Sequence, residues 1–286
     1  MDFFPIEKNG FIILDKPRGP SSHEITAYLK KLMGLKRCGN AGTLDPQVSG
    51  VMIIGINKAT RLLQYVAGKE KTYVGVMKTK NFPKNLQEVQ KEFNKFTGLI
   101  SQIPPKHSAV AKRKRKRQVF YFNALEVRGR HVLFEAKVEA GTYIRNLCID
   151  AGKAFGGGRM VELRRTAVGK FGEGECIRLP RMADAIWGCK NTGSSAGADS
   201  LIKPCEDILM LTRVYIKKSA EEKVCRGAPL AFPGVASFEA NFKKGENLAL
   251  FGTEGKLIGV ASAALDSSEI GDGKTIAHPR TMIKSI

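Results

Sequence analysis

A short segment of the chain combines two glycines and a proline with polar residues and lies between two ordered regions. Residues 39–46 read Gly-Asn-Ala-Gly-Thr-Leu-Asp-Pro, a composition that disfavours a regular helix or strand. The pattern of apolar residues predicts a helix over 21–32, with Ser22 as its cap, and a buried strand over 51–56. A bent loop between ordered elements presents a side chain, and we expect that side chain to be Asp45.

Short strands and short helices alternate through the first two thirds of the chain. Alternating apolar and polar residues over 132–138 predict a half-buried hairpin strand. A helix beginning at Thr142 places an apolar stripe on one face and ends at the glycines 156–158, and another strand is predicted over 161–168. This part of the chain is therefore predicted to mix helices and strands.

A small, polar, glycine-rich stretch at residues 190–200 is typical of a solvated linker or a loop insertion. We therefore predict one domain over residues 1–211 and a second over residues 212–286. The second contains short strands separated by glycine turns, which is consistent with a small β-barrel. One helix interrupts these strands, with a capping box from Ser219 to Glu222 and a stop at Gly227.

The charge of the chain indicates a polyanionic partner. Lys and Arg number 47 against 27 acidic residues, which gives a formal charge of +20 and a pI near 9.8. Residues 212–286 carry 11 basic and 8 acidic side chains, so residues 1–211 carry the other 36 and 19. The first predicted domain therefore holds most of the electrostatic attraction for nucleic acid.

Metal sites, disulfide frameworks and membrane spans are all disfavoured by the sequence. The six cysteines are never closer than 13 residues, and the four histidines are widely separated, so no common metal-ligand spacing is present. Apolar runs are far shorter than the ~20 residues of a membrane helix, and the first residues do not resemble a signal peptide. We expect no metal, no membrane contact and a cytoplasmic protein.

Three local features are candidates for chemistry or binding: Asp45 in its loop, Tyr143 with Arg145 at a predicted helix start, and the basic run Lys112, Arg113, Lys114, Arg115, Lys116 and Arg117. Each has a plain structural alternative. Asp before Pro is often a turn residue, and Tyr at a helix start is often a packed aromatic. A basic run is often a solvated loop or a targeting signal.

The order of several motifs resembles one known family, the pseudouridine synthases that modify the tRNA T-loop, together with their guide-RNA-dependent archaeal and eukaryotic relatives. The matching motifs are Leu14-Asp15-Lys16-Pro17, Ala41-Gly42-Thr43-Leu44-Asp45-Pro46, Lys71-Thr72-Tyr73, Pro104-Pro105 with Ser108-Ala109-Val110, Ala140-Gly141-Thr142-Tyr143-Ile144-Arg145 and Glu162-Leu163-Arg164-Arg165-Thr166. Residues 216–280 resemble the RNA-binding PUA domain that follows the catalytic domain in the guide-dependent branch. The resemblance covers nearly the whole chain.

The resemblance implies an α+β fold with a mixed, mainly antiparallel sheet in the catalytic domain and a small β-barrel in the PUA domain. It implies that Asp45 is the nucleophile, that Arg145 pairs with it, and that Tyr73 stacks on the flipped base. The implied substrate pocket contains Tyr143, Leu163, Asn40, Gly42 and Thr43, and the implied RNA contacts are the run Lys112–Arg117 with Gly227, Ala228 and Pro233. Uridine isomerisation needs no cofactor.

Asn40 departs from the family, because many relatives carry His at this position. Asn forms hydrogen bonds but cannot become a cation near phosphate, so this departure concerns substrate engagement and not catalysis. Lys16 and Pro17 match a family motif packed near the active site, and we assign them a structural role.

Three functions remain open at this point. The first is the catalytic subunit of an H/ACA guide-RNA particle that modifies ribosomal RNA, with the guide RNA, a small adaptor protein and further accessory proteins as partners. The second is a stand-alone synthase for the tRNA T-loop, and the third is a non-catalytic RNA scaffold. Because no lysine-rich tail follows Ile286, the archaeal branch is the expected one.

Overall fold

The computed structural model describes residues 6–104 and 111–284. Within these residues the chain divides into two compact units. The first contains Ile6 and residues 12–54 and 67–201, and the second contains residues 7–11, 55–66 and 202–284. The predicted boundary at 211 and 212 stays a prediction. The motif residues Pro105, Ser108, Ala109 and Val110 lie outside the described residues.

The larger sheet mixes parallel and antiparallel pairs. Its strands are β1 (Gly10–Lys16), β2 (Cys38–Ala41), β3 (Ser49–Ile56), β4 (Lys71–Thr79), β5 (Gly98–Gln102), β6 (Arg115–Arg128), β7 (His131–Val138), β8 (Gly158–Val168) and β9 (Phe171–Gly172). The order is β1-β3-β8-β4-β7-β6-β5, with β2 on β3 and β9 on β8. β3 and β8 are parallel, whereas β4, β5, β6 and β7 pair antiparallel with their neighbours. The predicted mixed, mainly antiparallel sheet is confirmed.

The helices are short. They are α1 (Ser22–Leu32), α2 (Leu63–Ala67), α3 (Leu86–Asn94), α4 (Ile144–Gly152), α5 (Leu179–Thr192), α6 (Ala196–Asp199), α7 (Cys205–Ile208) and α8 (Lys218–Cys225). The cap of α1 is Ser21, which forms a capping box with Glu24, so the prediction of Ser22 as cap is wrong by one residue. None of the helices in the described part of the chain is both long and apolar enough to cross a membrane.

Two segments that the sequence predicts as loops are partly regular. The stretch 190–200 includes the last turn of α5 and all of α6, because Gly193 at φ 69° ends α5 and Ser195 bonds to Asp199. Likewise, β6 begins at Arg115, so the second half of the basic run is the beginning of a strand that pairs with β5, and not a loop. Because successive side chains of a strand lie on opposite faces of the sheet, Arg115 and Arg117 share one face and Lys116 lies on the other.

Aromatic packing fixes one face of the larger sheet. The Phe93 ring of α3 stacks on Phe122 of β6, with centroids 3.7 Å apart and planes 8° apart, and Phe134 of β7 meets both rings edge-on. Phe134 lies opposite Gly75, and Tyr73 is two residues from Gly75, so Tyr73 faces the same side. This face is therefore buried and carries the side chains that the sequence singles out.

The second unit is built on a smaller sheet. Its strands are β10 (Thr212–Ile216), β11 (Leu230–Ala231), β12 (Val235–Phe238), β13 (Asn247–Phe251), β14 (Leu257–Ala263) and β15 (Thr275–Met282), in the order β11-β15-β14-β13-β10-β12. Its core includes Val214, Leu250 and Ile276. α8 begins at Lys218, so Ser219 lies inside the helix and the predicted capping box is wrong. Residues 55–66 join this unit, where the Tyr65 hydroxyl bonds to Thr281 at 2.9 Å.

Phe93→Ala should lower the free energy of unfolding by about 3–5 kcal/mol, because it removes a fully buried ring and leaves a cavity. Phe120→Ala is the matched control, since Phe120 is 48% exposed, and it should cost less than about 1 kcal/mol. Urea unfolding followed by circular dichroism measures both. Equal losses in the two variants would contradict a buried core of Phe93, Phe122 and Phe134.

Candidate active site

Asp45 lies on an irregular loop between β2 and β3. β2 runs to Ala41, so the irregular part begins at Gly42, three residues later than the sequence predicts. Gly42 has φ +79°, and an added Cβ would come within 3.1 Å of the Lys71 side chain. The loop then turns, with the Val48 amide donating to the Asp45 carbonyl at 3.0 Å. The turn leaves the Asp45 side chain 57% exposed.

Ser22 holds the middle of this loop. Its hydroxyl accepts from the Leu44 amide and donates to the Leu44 carbonyl, each at 2.9 Å. Both residues are buried, so the serine satisfies two backbone groups that water does not reach. This contact explains why Ser22 does not cap α1.

Lys16 holds the far side of the turn. Its buried ammonium donates to the carbonyls of Pro17, Pro46 and Val48 at 2.9, 3.2 and 2.9 Å. Burial lowers the pKa of Lys16, while the nearby Asp45 carboxylate acts in the opposite direction. The predicted structural role of Lys16 therefore has a geometric basis: it fixes the backbone on the carboxyl side of Asp45.

Arg165 of β8 holds the two ends of the loop. Its guanidinium donates to the Gly42 carbonyl at 2.9 Å and to the Val51 carbonyl at 2.6 Å. Tyr73 is its neighbour across the β4–β8 pair. Burial lowers the pKa of Arg165.

Lys71 packs behind the same loop. It is buried, and its ammonium donates to the carbonyls of Ala67 and Lys69 at 2.9 and 2.7 Å. Burial lowers its pKa to about 8, and the positive charge of Arg165 acts in the same direction. Basic groups therefore surround the buried side of the loop, whereas the side chain of Asp45 is more than half exposed.

Arg145 reaches Asp45 from α4. The Arg145 Nη2 donates to the Asp45 Oδ2, and 45% of the Arg145 side chain is exposed. The start of α4 is fixed by Gln102 of β5, whose side chain bonds to both the amide and the carbonyl of Tyr143, at 2.9 and 3.2 Å. An exposed ion pair adds little to stability, so this one mainly orients the carboxylate.

The other predicted pocket residues lie around this loop or on the same sheet face. Tyr73 is buried on β4, and Leu163 lies across from Gly75 on the same face. The Asn40 amide is 3.4 Å from the Thr43 hydroxyl, a weak hydrogen bond at the edge of the loop. The fold therefore brings Asp45 and Arg145 into contact and places Tyr73 on the same framework through Arg165.

The remaining predicted residues are the ones that we expect to contact RNA. They lie outside the loop that carries Asp45. Lys112, Arg113 and Lys114 precede β6 and are exposed, whereas Arg117 is partly buried against Gly141 and lies 3.6 Å from Glu139. Gly227, Ala228 and Pro233 belong to the second unit, where Gly227 and Pro233 are exposed and Gly227 has φ +100°.

Sequence reasoning missed Arg165, Lys71 and the contact made by Ser22. Arg165 and Lys71 stand inside motifs quoted above, but nothing in a strand sequence marks a buried cation as a support for a distant loop. No group of three or more His, Cys, Asp or Glu residues in 6–104 and 111–284 is arranged to hold a metal ion.

Family profiles match most of the chain. The profile "TruB family pseudouridylate synthase (N terminal domain)" matches residues 30–144, "tRNA pseudouridylate synthase B C-terminal domain" matches 145–210, and "PUA domain" matches 212–277. The probable tRNA pseudouridine synthase B of Pyrobaculum arsenaticum is 42% identical over 92% of this chain and 80% of its own length. The protein of the same name from Archaeoglobus fulgidus is 40% identical over 92% of this chain and 81% of its own length.

Solved structures resemble the chain over nearly its whole length. A chain in the structure of an H/ACA RNP bound to a substrate RNA containing 2'-deoxyuridine is 36% identical, with a TM-score of 0.86 over 96% of this chain and 85% of that one. A chain in the crystal structure of a Cbf5-Nop10-Gar1 complex is 40% identical, with a TM-score of 0.85 over 96% of this chain and 84% of that one.

The depressed pKa of Lys71 predicts a pH-dependent stability. The folded state releases this proton near pH 8 and the unfolded state near 10.5, so between these values the unfolded state binds more protons. The free energy of unfolding should therefore gain up to about 3 kcal/mol from this group as pH rises through the interval.

Lys71→Met should remove that gain, whereas Lys91→Met, an exposed lysine on α3, should keep it. Urea unfolding at a series of pH values measures the difference between the wild type and each variant. A difference between the wild type and Lys71→Met that stays constant with pH would show that Lys71 titrates normally.

Proposed function

Because this chain belongs to the TruB family of pseudouridine synthases and carries a C-terminal PUA domain, we propose that it isomerises uridine to pseudouridine in ribosomal RNA as the catalytic subunit of an H/ACA ribonucleoprotein. The resemblance inferred from the motifs is thereby confirmed at the level of the family.

One observation carries the assignment to a guide particle. The chain from an H/ACA RNP bound to substrate RNA matches 96% of this chain with a TM-score of 0.86. Its match therefore includes the part of this chain with the PUA profile as well as the catalytic part. We therefore expect a guide RNA, a Nop10-like adaptor and a Gar1-like accessory protein as partners, by analogy with the Cbf5-Nop10-Gar1 complex.

In this proposal Asp45 is the nucleophile. Its carboxylate attacks the target nucleoside, at the sugar or the base ring, and the N1–C1′ bond of uridine breaks. The base turns, a C5–C1′ bond forms, the C5 proton leaves, N1 takes a proton and the carboxylate is released unchanged. Arg145 keeps the carboxylate aimed, since a guanidinium binds a carboxylate in a fixed direction. No cofactor takes part in this scheme.

The anchored loop supports this role for Asp45. Lys16, Ser22 and Arg165 fix the backbone on both sides of it, so little reorganisation is needed when RNA arrives. Tyr73 and Leu163 form the wall on which the flipped base stacks, with Tyr143, Asn40, Gly42 and Thr43 around it.

The basic surface supports RNA binding outside the pocket. Lys112, Arg113 and Lys114 are exposed just before β6, and with Arg115, Lys116 and Arg117 they offer phosphate contacts. Gly227, Ala228 and Pro233 offer a small-residue surface to the guide RNA in the second unit. We propose that the protein acts in the cytoplasm, where its free cysteines stay reduced. These are Cys38, Cys148, Cys176, Cys189, Cys205 and Cys225.

A stand-alone tRNA T-loop synthase is the second candidate. It is favoured by the curated relatives, which are named probable tRNA pseudouridine synthase B. It uses the same residues without a guide. Membership in a family of enzymes counts against the non-catalytic scaffold.

Asp45→Asn should lower pseudouridine formation by at least about 10³-fold, because the amide keeps the shape of the side chain but is not a nucleophile. RNA affinity should stay within about threefold of the wild type, since Asp45 repels phosphate more than it binds it. Asp184→Asn on the exposed side of α5 is the matched control and should be fully active. Near-normal activity of Asp45→Asn would remove Asp45 from the mechanism.

Guide dependence is tested by release of a C5 tritium label from uridine. Two substrates are compared, a ribosomal RNA fragment paired with an H/ACA guide and a bare tRNA transcript, each with and without the adaptor protein. Release from the guided fragment only, and stimulated by the adaptor, is the expected result. Release from the bare tRNA only would replace the guided function by the second candidate.

A further inference from the structure

A row of basic side chains crosses four neighbouring strands at one end of the larger sheet. Arg159 of β8 lies opposite Lys78 of β4, Lys78 lies opposite His131 of β7, and His131 lies opposite Arg128 of β6. Residues directly opposite each other in antiparallel strands point to the same face, so these side chains form one continuous line. We call Arg159, Lys78, His131 and Arg128 the basic row.

Acidic groups compensate little of this charge. Arg128 pairs with Glu126 at 2.5 Å on the exposed surface. For Lys78 and Arg159 the described part of the chain provides no ion pair within 4.0 Å. Like charges directly opposite each other on neighbouring strands destabilise a sheet, so folding does not account for the row.

An exposed aromatic ring lies beside the row. Phe82 is 72% exposed, and the Arg130 guanidinium lies 5.7 Å from the centre of its ring. Backbone bonds hold this loop in place: the amides of Lys80 and Asn81 donate to the carbonyls of Gly157 and Phe155, both at 2.9 Å. A large apolar ring is thus fixed in solvent among basic groups, a combination typical of surfaces that bind nucleic acid.

The row is separate from the candidate active site. Lys78 lies five residues along β4 from Tyr73, a distance of about 17 Å at the rise of a strand. An odd number of residues also puts the two side chains on opposite faces of the sheet, and Tyr73 is on the buried face with Leu163. A nucleotide held at Asp45 therefore cannot also contact the row.

We propose that the basic row and Phe82 form a second RNA-binding surface, which contacts the phosphates of RNA outside the segment that enters the active site and stacks one unpaired base on Phe82. This inference rests on the proposed function, because it assumes that RNA is the substrate. The line of cations tracks a backbone without reading sequence, and the ring accepts any base.

The test compares a short hairpin that contains only the target loop with a longer RNA that contains the same loop. The triple variant Lys78→Gln, Arg128→Gln, Arg159→Gln removes the permanent charges of the row. A matched triple variant, Lys91→Gln, Lys95→Gln, Arg181→Gln, removes the same charge from exposed positions in or next to helices. Affinity is measured by fluorescence anisotropy over a series of salt concentrations, with no need for turnover.

The row variant should bind the longer RNA about tenfold more weakly or worse, and the slope of log affinity against log salt should fall by about 2 to 3. Its affinity for the short hairpin and both affinities of the control should stay within about twofold of the wild type. Phe82→Ala should weaken binding of the longer RNA about fivefold without changing the slope, because stacking releases no counterions. Phe120→Ala is its control.

The melting temperature of the row variant should not fall below that of the wild type, because like-charge contacts are removed; this shows that the variant is folded. A row variant that binds both RNAs as the control does would overturn the inference. So would unchanged RNA binding together with loss of an acidic protein partner, which would make the surface a protein interface. Failure of the proposed function would be seen in a separate assay, as the absence of tritium release by the wild type.

Discussion

Two buried cations hold the loop that carries Asp45, and the rest of the site depends on them. Lys16 and Arg165 donate to backbone carbonyls on either side of the turn, while Ser22 satisfies the amide and carbonyl of Leu44. A buried charge is costly unless hydrogen bonds replace water, and here the loop itself supplies the acceptors. The cations and the loop conformation therefore stabilise each other, and neither is favourable without the other.

The residues that fix the backbone of this loop are different from the residues that it exposes. The groups that fix the backbone are buried, whereas Asp45 and Arg145 are about half exposed. The carboxylate therefore stays accessible to a large substrate while its backbone cannot relax away from the productive position. A rigid loop with an exposed carboxylate suits an enzyme whose substrate is itself structured.

The two faces of the larger sheet also differ in what they carry. One face is packed by the Phe93, Phe122 and Phe134 cluster and carries Tyr73 and Leu163. The opposite face carries charged residues, including the basic row, because alternation along a strand sends every second side chain there. The sheet thus has a buried apolar face and an opposite face with exposed basic groups, Arg128, His131 and Arg159.

The sequence by itself determined the family, the mixed sheet, the PUA domain and the identity of Asp45 and Arg145 as candidates, because these follow from motif order and from local hydrophobic patterns. It misplaced features that depend on competition between local and distant partners: Ser22 bonds to Leu44 instead of capping α1, and Arg115 pairs with β5 instead of lying in a loop. Only the tertiary structure decided that Arg165 holds the loop, that Lys71 packs behind it and that four basic residues align. Strand register pairs Lys78 with Arg159, which lies 81 positions away along the chain. Register depends on packing of the whole sheet, and no local segment contains that information.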